Sequence, residues 1–277
     1  MSLPELRNQT YCYSSTNEAA ARIFVGDIYQ LPPVVISNNE VNPFFAQTQL
    51  SAQARIQKSG APIITFRRHF RSVPQIMELI SQFAYHGALF SHDAEAFARR
   101  PQAQAIADFN QNHFGIRAHV VYFNMTNSTS GFTPSRSCNN DDHVKHSTNL
   151  VKQLIEQNIT DIAILVGYEA QNRAYISAIS KLAADIPKIW NHVQIDKIDK
   201  SQGAEFNVVI ADFSNTKAPG FMAKLPRANA IISRAINGLY VLMNSSAIRN
   251  FRRTHLTPEL LVGSLQLSSQ GSKESVL

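Results

Sequence analysis

The sequence predicts an α/β protein in which a parallel sheet is flanked by helices, and three observations support this fold class. Apolar runs of strand length alternate with segments of helical spacing over most of the chain. Residues 162–166 are continuously apolar, which is typical of a parallel strand that helices cover on both faces. After Pro74, apolar residues recur at helical spacing, and proline is tolerated in the first turn of a helix. This repetition implies right-handed crossovers between parallel strands.

The predicted elements follow one another along the chain. Residues 23–25 form a short apolar run that ends at a Gly-Asp turn, as expected for a buried strand. The later elements are a helix at 44–58, a helix from Pro74 that buries Ile76, Leu79, Ile80 and Phe83, a strand at 118–123, a polar loop at 124–140, a helix at 142–157, the strand at 162–166, a helix at 170–183, strands at 193–198 and 208–210, a helix at 227–236 and a strand at 239–242. Ligands of such sheets bind beyond the carboxyl ends of the strands.

Composition limits the class of protein. With 277 residues, 44% of them hydrophobic, the chain can bury a sizeable core. The net charge of +6 suits a polyanion partner, although many basic proteins bind none. No apolar run reaches the length of a membrane span and no signal pattern begins the chain, so we expect an intracellular protein, cytoplasmic or nuclear, without a membrane partner. No metal site is expected, and His143-x-x-His146 is interpreted as a polar helix start.

The segment at residues 26–33, Gly-Asp-Ile-Tyr-Gln-Leu-Pro-Pro, places a glutamine amide on a loop that two prolines stiffen. Because the amide of Gln30 both donates and accepts, it can sense a terminal phosphate or orient a water molecule. The alternative is an ordinary turn from strand to loop. Spacing alone does not choose between the two.

Residues 66–76 hold three arginines within five residues, and Phe70 lies directly before the last of them, Arg71. Without a binding role, such a cluster of arginines would be a solvated basic face. In residues 166–171, Tyr168 and Gln171 follow a predicted strand, a pattern that is also common at helix starts.

Two later segments carry amide, carboxyl and guanidinium groups. In residues 198–205 a glycine allows close backbone approach beside glutamine and glutamate side chains. Residues 229–235 are predicted to be helical, which spaces Asn229 about one turn from Ser233 and Arg234. The permanently charged guanidinium is suited to stabilise charge on a transferring phosphoryl group, whereas a surface ion pair is the alternative.

These five segments, in this order, resemble motifs of superfamily 1 helicases, above all the nonsense-mediated-decay type. Residues 25–35 are similar to the third conserved motif, 66–76 to Q-Y-R-M-H-P-E-I, 166–171 to P-Y-x-x-Q, 198–205 to D-S-F-Q-G-x-E and 229–235 to N-V-A-L-T-R-A. His69 replaces the glutamine of the second motif, Ser72-Val73 its Met-His, and Gly167 the proline of the third segment. The resemblance implies a RecA-like sheet of the P-loop NTPase fold, the second motor domain of a helicase.

The resemblance also implies roles for the matching residues. Gln30, Arg71 and Arg234 would contact the γ-phosphate of ATP, and Phe70 replaces a tyrosine that stacks on the adenine base. Gln202, Gly203 and Glu205 would bridge the nucleotide and the strand-binding loop, while Tyr168, Gln171 and Ser201 would face single-stranded RNA or DNA.

The sequence contains no G-x-x-x-x-G-K-[ST] phosphate loop, and the resemblance places the Mg²⁺-binding D-E-A-[AS] segment at about Met1. We therefore expect ATP and Mg²⁺ to bind only together with a first motor domain, and no hydrolysis by these residues alone. The alternative is a truncated, catalytically silent paralogue that acts as a nucleic-acid-binding or interaction module. The reading frame upstream of Met1 distinguishes the two.

The expected domains are a remnant of the first RecA-like domain at residues 1–60, the second RecA-like domain at 61–250, and a flexible Ser-rich tail at 251–277. We expect one cleft at the carboxyl ends of the strands, lined by Gln30, Phe70, Arg71, Gln202, Glu205 and Arg234.

Overall fold

The structure is a computed structural model that describes residues 23–35, 41–217, 220 and 224–245. The predicted tail at 251–277 and the first 22 residues of the predicted remnant lie outside the described residues. The chain divides into two compact units, Met1–Phe66 and Arg67–Leu277. Within the described ranges no helix is long and apolar enough to cross a membrane.

The first unit contains two short helices where one was predicted. Helix α1 spans Phe45–Thr48 and helix α2 spans Ala52–Lys58. The interruption falls at Ser51, whose hydroxyl accepts a hydrogen bond from the backbone amide of Ala54 and caps α2.

The buried strand predicted at residues 23–25 is wrong. These residues form no strand, and Ile23 and Val25 are 89% and 77% exposed. A buried parallel strand needs neighbouring strands and covering helices. The run is contacted by the Gln53 side chain, whose Nε2 donates to the Val25 carbonyl oxygen at 2.7 Å.

The second unit is built on a parallel sheet of five strands, which confirms the predicted fold class. The strand order is β3-β9-β8-β6-β7, and every neighbouring pair is parallel. The elements of this unit, in chain order, are β1 Arg68–His69, α3 Pro74–Ala84, β2 Phe90–Ser91, α4 Ala94–Ala98, α5 Pro101–Phe114, β3 Val120–Asn124, β4 Gly131–Phe132, β5 Cys138–Asn139, α6 Asp141–Glu156, β6 Ile162–Val166, α7 Glu169–Leu182, a 3₁₀ turn at Ile189–Asn191, β7 Val193–Lys197, β8 Phe206–Phe213, α8 Leu225–Ile232 and β9 Ala235–Met243.

Both faces of the sheet are covered by helices. On one face α5, α6 and α7 bury residues such as Ile106, Leu154 and Ile179 against the strands. On the other face α3 and α8 pack against each other and against the central strands. Because side chains alternate across a strand, β6 buries all five of its residues between the two helical layers.

Several boundaries differ from the predicted ones. Helix α8 ends at Ile232, so Ser233 and Arg234 lie on the turn into β9 and not inside a helix. Helix α5 was not predicted, and its hydrophobic periodicity is weak because its buried positions include Ala103 and Asn110. The predicted loop at 124–140 contains the antiparallel pair β4 and β5.

Candidate functional site

Three segments that are far apart in sequence meet at the amino ends of β8 and β9. Arg71 lies just before α3, Glu205 directly precedes β8, and Ser233 directly follows α8. The Nη2 atom of Arg71 lies 2.7 Å from Oε1 of Glu205, and its Nη1 donates to the Ser233 carbonyl oxygen at 2.9 Å. The guanidinium of Arg71 therefore ties the start of β8 to the turn before β9.

The backbone around Arg71 is held against the first residues of β9. The buried hydroxyl of Ser72 donates to the Ala235 carbonyl oxygen at 2.7 Å, and the Val73 amide donates to the Ile236 carbonyl oxygen at 2.9 Å. Arg100 donates to the Arg71 carbonyl oxygen at 2.6 Å. These bonds limit where the Arg71 side chain can reach.

A cleft of about 470 Å³ opens at this edge of the sheet. Its lining contains three guanidinium groups against one carboxylate, together with the exposed ring of Phe70, which packs 4.6 Å from His92. The lining residues are Arg68, His69, Phe70, Arg71, Arg100, Glu205 and Ile236. Guanidinium groups bind phosphate oxygens and an aromatic face stacks on a base, so this set of groups fits a nucleotide anion.

His69 has an internal hydrogen-bonding task in this cleft. Its Nε2 accepts from the Ser72 amide at 2.8 Å. Burial, together with the positive charge of Arg71, lowers the pKa of His69, which favours the neutral ring that this acceptor role requires.

Arg234 lies beside the cleft and is buried, with 3% of its surface exposed. Its guanidinium donates to the carbonyl oxygens of Ala230 and Ala204 and to the hydroxyl of Ser233. Arg71 and Arg234 therefore meet on the same residue, Ser233, one at its carbonyl and the other at its hydroxyl.

The predicted location at the carboxyl ends of the strands is wrong. The Glu205 and Arg234 side chains precede β8 and β9, so they lie at the opposite, amino-terminal edge. The general rule describes loops that follow strands, and these two residues belong to turns that enter strands.

Gln202 and Gly203 are exposed on the connection from β7 to β8 and are not part of the cleft lining. Gly203 has a φ of +86°, a backbone conformation that favours glycine. Gln30 lies in the first unit, on a turn in which the Tyr29 amide donates to the Asp27 carboxylate. The predicted nucleotide roles of these residues stay predictions.

The three residues that were predicted to face single-stranded nucleic acid do not line the cleft, and two of them are buried. Tyr168 is half-buried at the carboxyl end of β6, where it begins α7. Gln171 is 0% exposed, and it bonds to Asn140 and Asp212. Ser201 is 2% exposed, and its hydroxyl donates to the Ile198 carbonyl oxygen. The predicted direct contact of Gln171 and Ser201 with single-stranded RNA or DNA is therefore wrong for this structure, because acceptors and donors of the protein itself bind their polar atoms.

A buried polar network, which sequence reasoning missed, surrounds Asp212 near the end of β8. Its carboxylate accepts from Nδ1 of His143 at 2.6 Å, from Nε2 of Gln171 at 2.6 Å and from the hydroxyl of Tyr175 at 2.8 Å. Burial and the Asp212 charge raise the pKa of Tyr175 well above its usual range, so its hydroxyl stays protonated and donates. An aspartate inside the apolar run that forms β8 was the available signal.

Ser128, His143 and Asp212 contact one another in that order, as in a hydrolase triad, but the serine is not placed to act as a nucleophile. Ser128 Oγ lies 3.3 Å from Nε2 of His143, but its own proton goes to the Met125 carbonyl oxygen at 2.7 Å. With 6% of its surface exposed, the hydroxyl is closed to a substrate. The described residues contain no group of three metal-ligating side chains, and His143 pairs with Asp212 instead.

Known proteins match this chain over most of its length. Residues 48–246 match the family model AAA_12, described as an AAA domain. An uncharacterised ATP-dependent helicase of Caenorhabditis elegans is 26% identical over 76% of this chain, and RNA helicase aquarius of Mus musculus is 23% identical over 82%. The chain spans only 13% and 15% of the length of these two relatives.

A solved structure, the C-terminal domain of a possible DNA helicase from Lactobacillus plantarum, is 14% identical with a TM-score of 0.39, and the alignment covers 64% of this chain and 88% of that one. The fold assignment therefore rests on the strand order of this chain itself, β3-β9-β8-β6-β7. Because the family match covers well over half of the residues, the chain belongs to the AAA_12 family of AAA domains and is related to helicases.

Proposed function

We propose that this chain is the second motor domain of an ATP-dependent helicase of superfamily 1, of the nonsense-mediated-decay type, and that it works with a first motor domain. One observation carries the proposal. The motif residues Arg71, Glu205 and Arg234 come from segments up to 163 residues apart, and they meet around Ser233 beside a basic cleft.

The cleft has the groups that a nucleoside triphosphate needs from one side. Arg71, Arg68 and Arg100 attract phosphate oxygens, and the face of Phe70 that is open to solvent can stack on a base. ATP with Mg²⁺ supplies the phosphoryl-transfer chemistry when it is bound between the motor domains. Arg71 then exchanges its carboxylate partner, Glu205, for a phosphate oxygen, and in this way the start of β8 senses the nucleotide.

The cleft lies at the amino-terminal edge of the sheet. At the carboxyl-terminal edge the proposed partner is single-stranded RNA or DNA, and Tyr168 is the proposed contact. The net charge of +6 favours a polyanion, and an aromatic ring on a loop can stack on a base. Gln171 then acts through position only, because it fixes the start of α7 against Asn140 and Asp212.

The test is ATP hydrolysis by the longest protein that contains this sequence, measured with and without a single strand. Arg71→Ala and Arg234→Ala should each lower kcat by about 10³ or more, as for other phosphoryl-transfer arginines, while strand affinity stays nearly unchanged. Arg117→Ala is the matched control, because that exposed arginine pairs with Asp108 and Gln104 and does not line the cleft. Robust hydrolysis by residues 1–277 alone, or full activity in both cleft variants, contradicts the proposal.

The second candidate is a catalytically silent paralogue that binds nucleic acid or protein. The observation in its favour is the burial of Arg234, whose guanidinium donates to protein acceptors in this structure. If the longer protein binds strands with normal affinity but does not hydrolyse ATP, this candidate replaces the first one.

A further inference from the structure

An aromatic ring and a cation lie together, in the open, on the carboxyl edge of the sheet. Phe132 is on strand β4 of the hairpin and is 47% exposed. The ammonium group of Lys217, which is exposed after β8, lies 5.6 Å from the centre of its ring. Neither residue belongs to the motifs described above. Exposure of an apolar phenylalanine ring to water is unfavourable in free energy.

The hairpin that carries Phe132 is firmly attached to the sheet. Ser130 and Thr216 exchange hydrogen bonds of 3.0 to 3.1 Å through their amides and hydroxyls. Cys138 is 0% exposed and anchors the returning strand β5, and burial raises the pKa of its thiol to about 11, so the thiol stays neutral. The ring is therefore already in place before any ligand binds, which reduces the entropy lost on binding.

The same hairpin adjoins Tyr168. Ala170, which lies two residues after Tyr168 at the start of α7, donates its amide to the hydroxyl of Ser137 on the hairpin. A methyl group at Gly220 would lie 2.3 Å from the Tyr168 hydroxyl and 2.8 Å from the Asn215 side-chain amide, so these groups lie against one another. The Lys217 amide donates to the Asn215 side-chain oxygen at 3.0 Å, so Phe132, Lys217, Asn215 and Tyr168 are neighbours along this edge.

This surface carries two cations, Lys217 and Arg227, beside the carboxylates of Asp141, Asp142 and Asp199, and Lys217 is the cation that lies over the Phe132 ring. Lys217 is exposed, and the positive charge of Arg227 lies near Tyr168 and Asp199. The nearby carboxylates of Asp141 and Asp142 interact with the Asn139 side chain and the Thr129 amide. A flexible lysine can move from the ring to a phosphate and leave the aromatic face for a base.

We propose that Phe132 and Lys217 form a nucleic-acid contact, in which the Phe132 ring stacks on an unpaired base and Lys217 binds the adjoining phosphate. This inference rests on the proposed strand-binding function, and it adds a contact next to Tyr168. The occupant is a single strand, because paired bases do not offer their faces to a side chain.

The experiment measures binding of the full 277-residue chain to fluorescein-labelled oligo(U) and oligo(dT) of about 12 nucleotides by fluorescence anisotropy. Phe132→Ala should weaken binding about tenfold, within the range of stacking contacts, and Phe132→Trp should restore it. Lys217→Ala should lower the slope of log affinity against log salt by about 1.

The chain offers a closely matched control. Phe90 is 49% exposed and has the guanidinium of Arg68 at 5.7 Å from its ring, but it lies on β2. Phe90→Ala should leave strand affinity unchanged. Thermal unfolding of each variant verifies the fold, and photocrosslinking of 4-thiouridine provides a second readout, with the crosslink expected at Phe132 in the tryptic peptide 118–136.

The outcomes distinguish a failure of the Phe132 contact from a failure of the proposed function. If Tyr168→Ala weakens binding and Phe132→Ala does not, the Phe132 contact is wrong while the proposed function stands. If the chain binds neither oligonucleotide, both are wrong. An equal loss in Phe90→Ala, or a crosslink elsewhere in the chain only, also overturns the Phe132 contact.

Discussion

Asp212 is the residue on which the buried polar groups of the carboxyl edge depend. It accepts from three side chains, and without it His143, Gln171 and Tyr175 lose a buried acceptor together. The resulting cost is large because each of these groups would keep its desolvation penalty without a partner.

We expect Asp212→Ala to lower the free energy of unfolding by about 3–5 kcal/mol, the range for removing one partner of a buried pair. Urea denaturation, followed by the fluorescence of the single tryptophan, Trp190, measures the change. Asp108→Ala removes one partner of an exposed pair and should cost less than about 1 kcal/mol. Similar costs for the two variants would show that the buried network contributes little.

At the scale of the element, the start of α6 joins three parts of the fold. The Asn140 side chain accepts from the amides of Asp142 and His143, as an N-cap does. Its Nδ2 also donates to the hydroxyl of Ser128 and to the Ser214 carbonyl oxygen, each at 3.2 Å. One amide group therefore caps the helix and holds it to the segment that follows β8.

We expect Asn140→Ala to destabilise the protein by more than the roughly 1 kcal/mol of a typical N-cap, because buried donors and acceptors are lost as well. Asp93→Ala removes the exposed cap of the short helix α4 and is the matched control. The difference between their urea midpoints tests the argument. If Asp93→Ala destabilises the protein as much as Asn140→Ala does, the capping bonds alone explain the loss.

At the scale of the whole molecule, burial of histidines makes stability depend on pH. Burial lowers the pKa of His69, His119 and His146 below 6.5. As the pH falls through this region, the unfolded chain binds protons that the folded chain does not bind. The free energy of unfolding must therefore fall with falling pH.

We expect the thermal midpoint to be lower at about pH 5.5 than at about pH 7.5, as the linkage between protonation and folding requires. Differential scanning calorimetry across this range measures the dependence, and His119→Gln should make it less steep. A midpoint that rises on acidification, or an unchanged slope in the variant, would show that other groups dominate.

The sequence by itself determined the α/β class and the positions of the main strands and helices. Of the six residues that the resemblance placed in one cleft, the structure brings Phe70, Arg71 and Glu205 together with Arg234 beside them, whereas Gln202 is not in the lining. Hydrophobic periodicity reports burial of local elements, since side chains repeat every two residues in a strand and every 3.6 in a helix. The continuously apolar run that forms β6 shows this most clearly.

Only the tertiary structure decided at which edge of the sheet these residues meet, and which polar side chains are buried. Arg71 bonds to a residue 162 positions away, and Gln171 bonds to one 41 positions away, distances over which local periodicity carries no information. The burial of Gln171 depends on acceptors that the fold brings to it. The exposure of Phe132 likewise follows from the attachment of its hairpin to the end of β8, which no local pattern encodes.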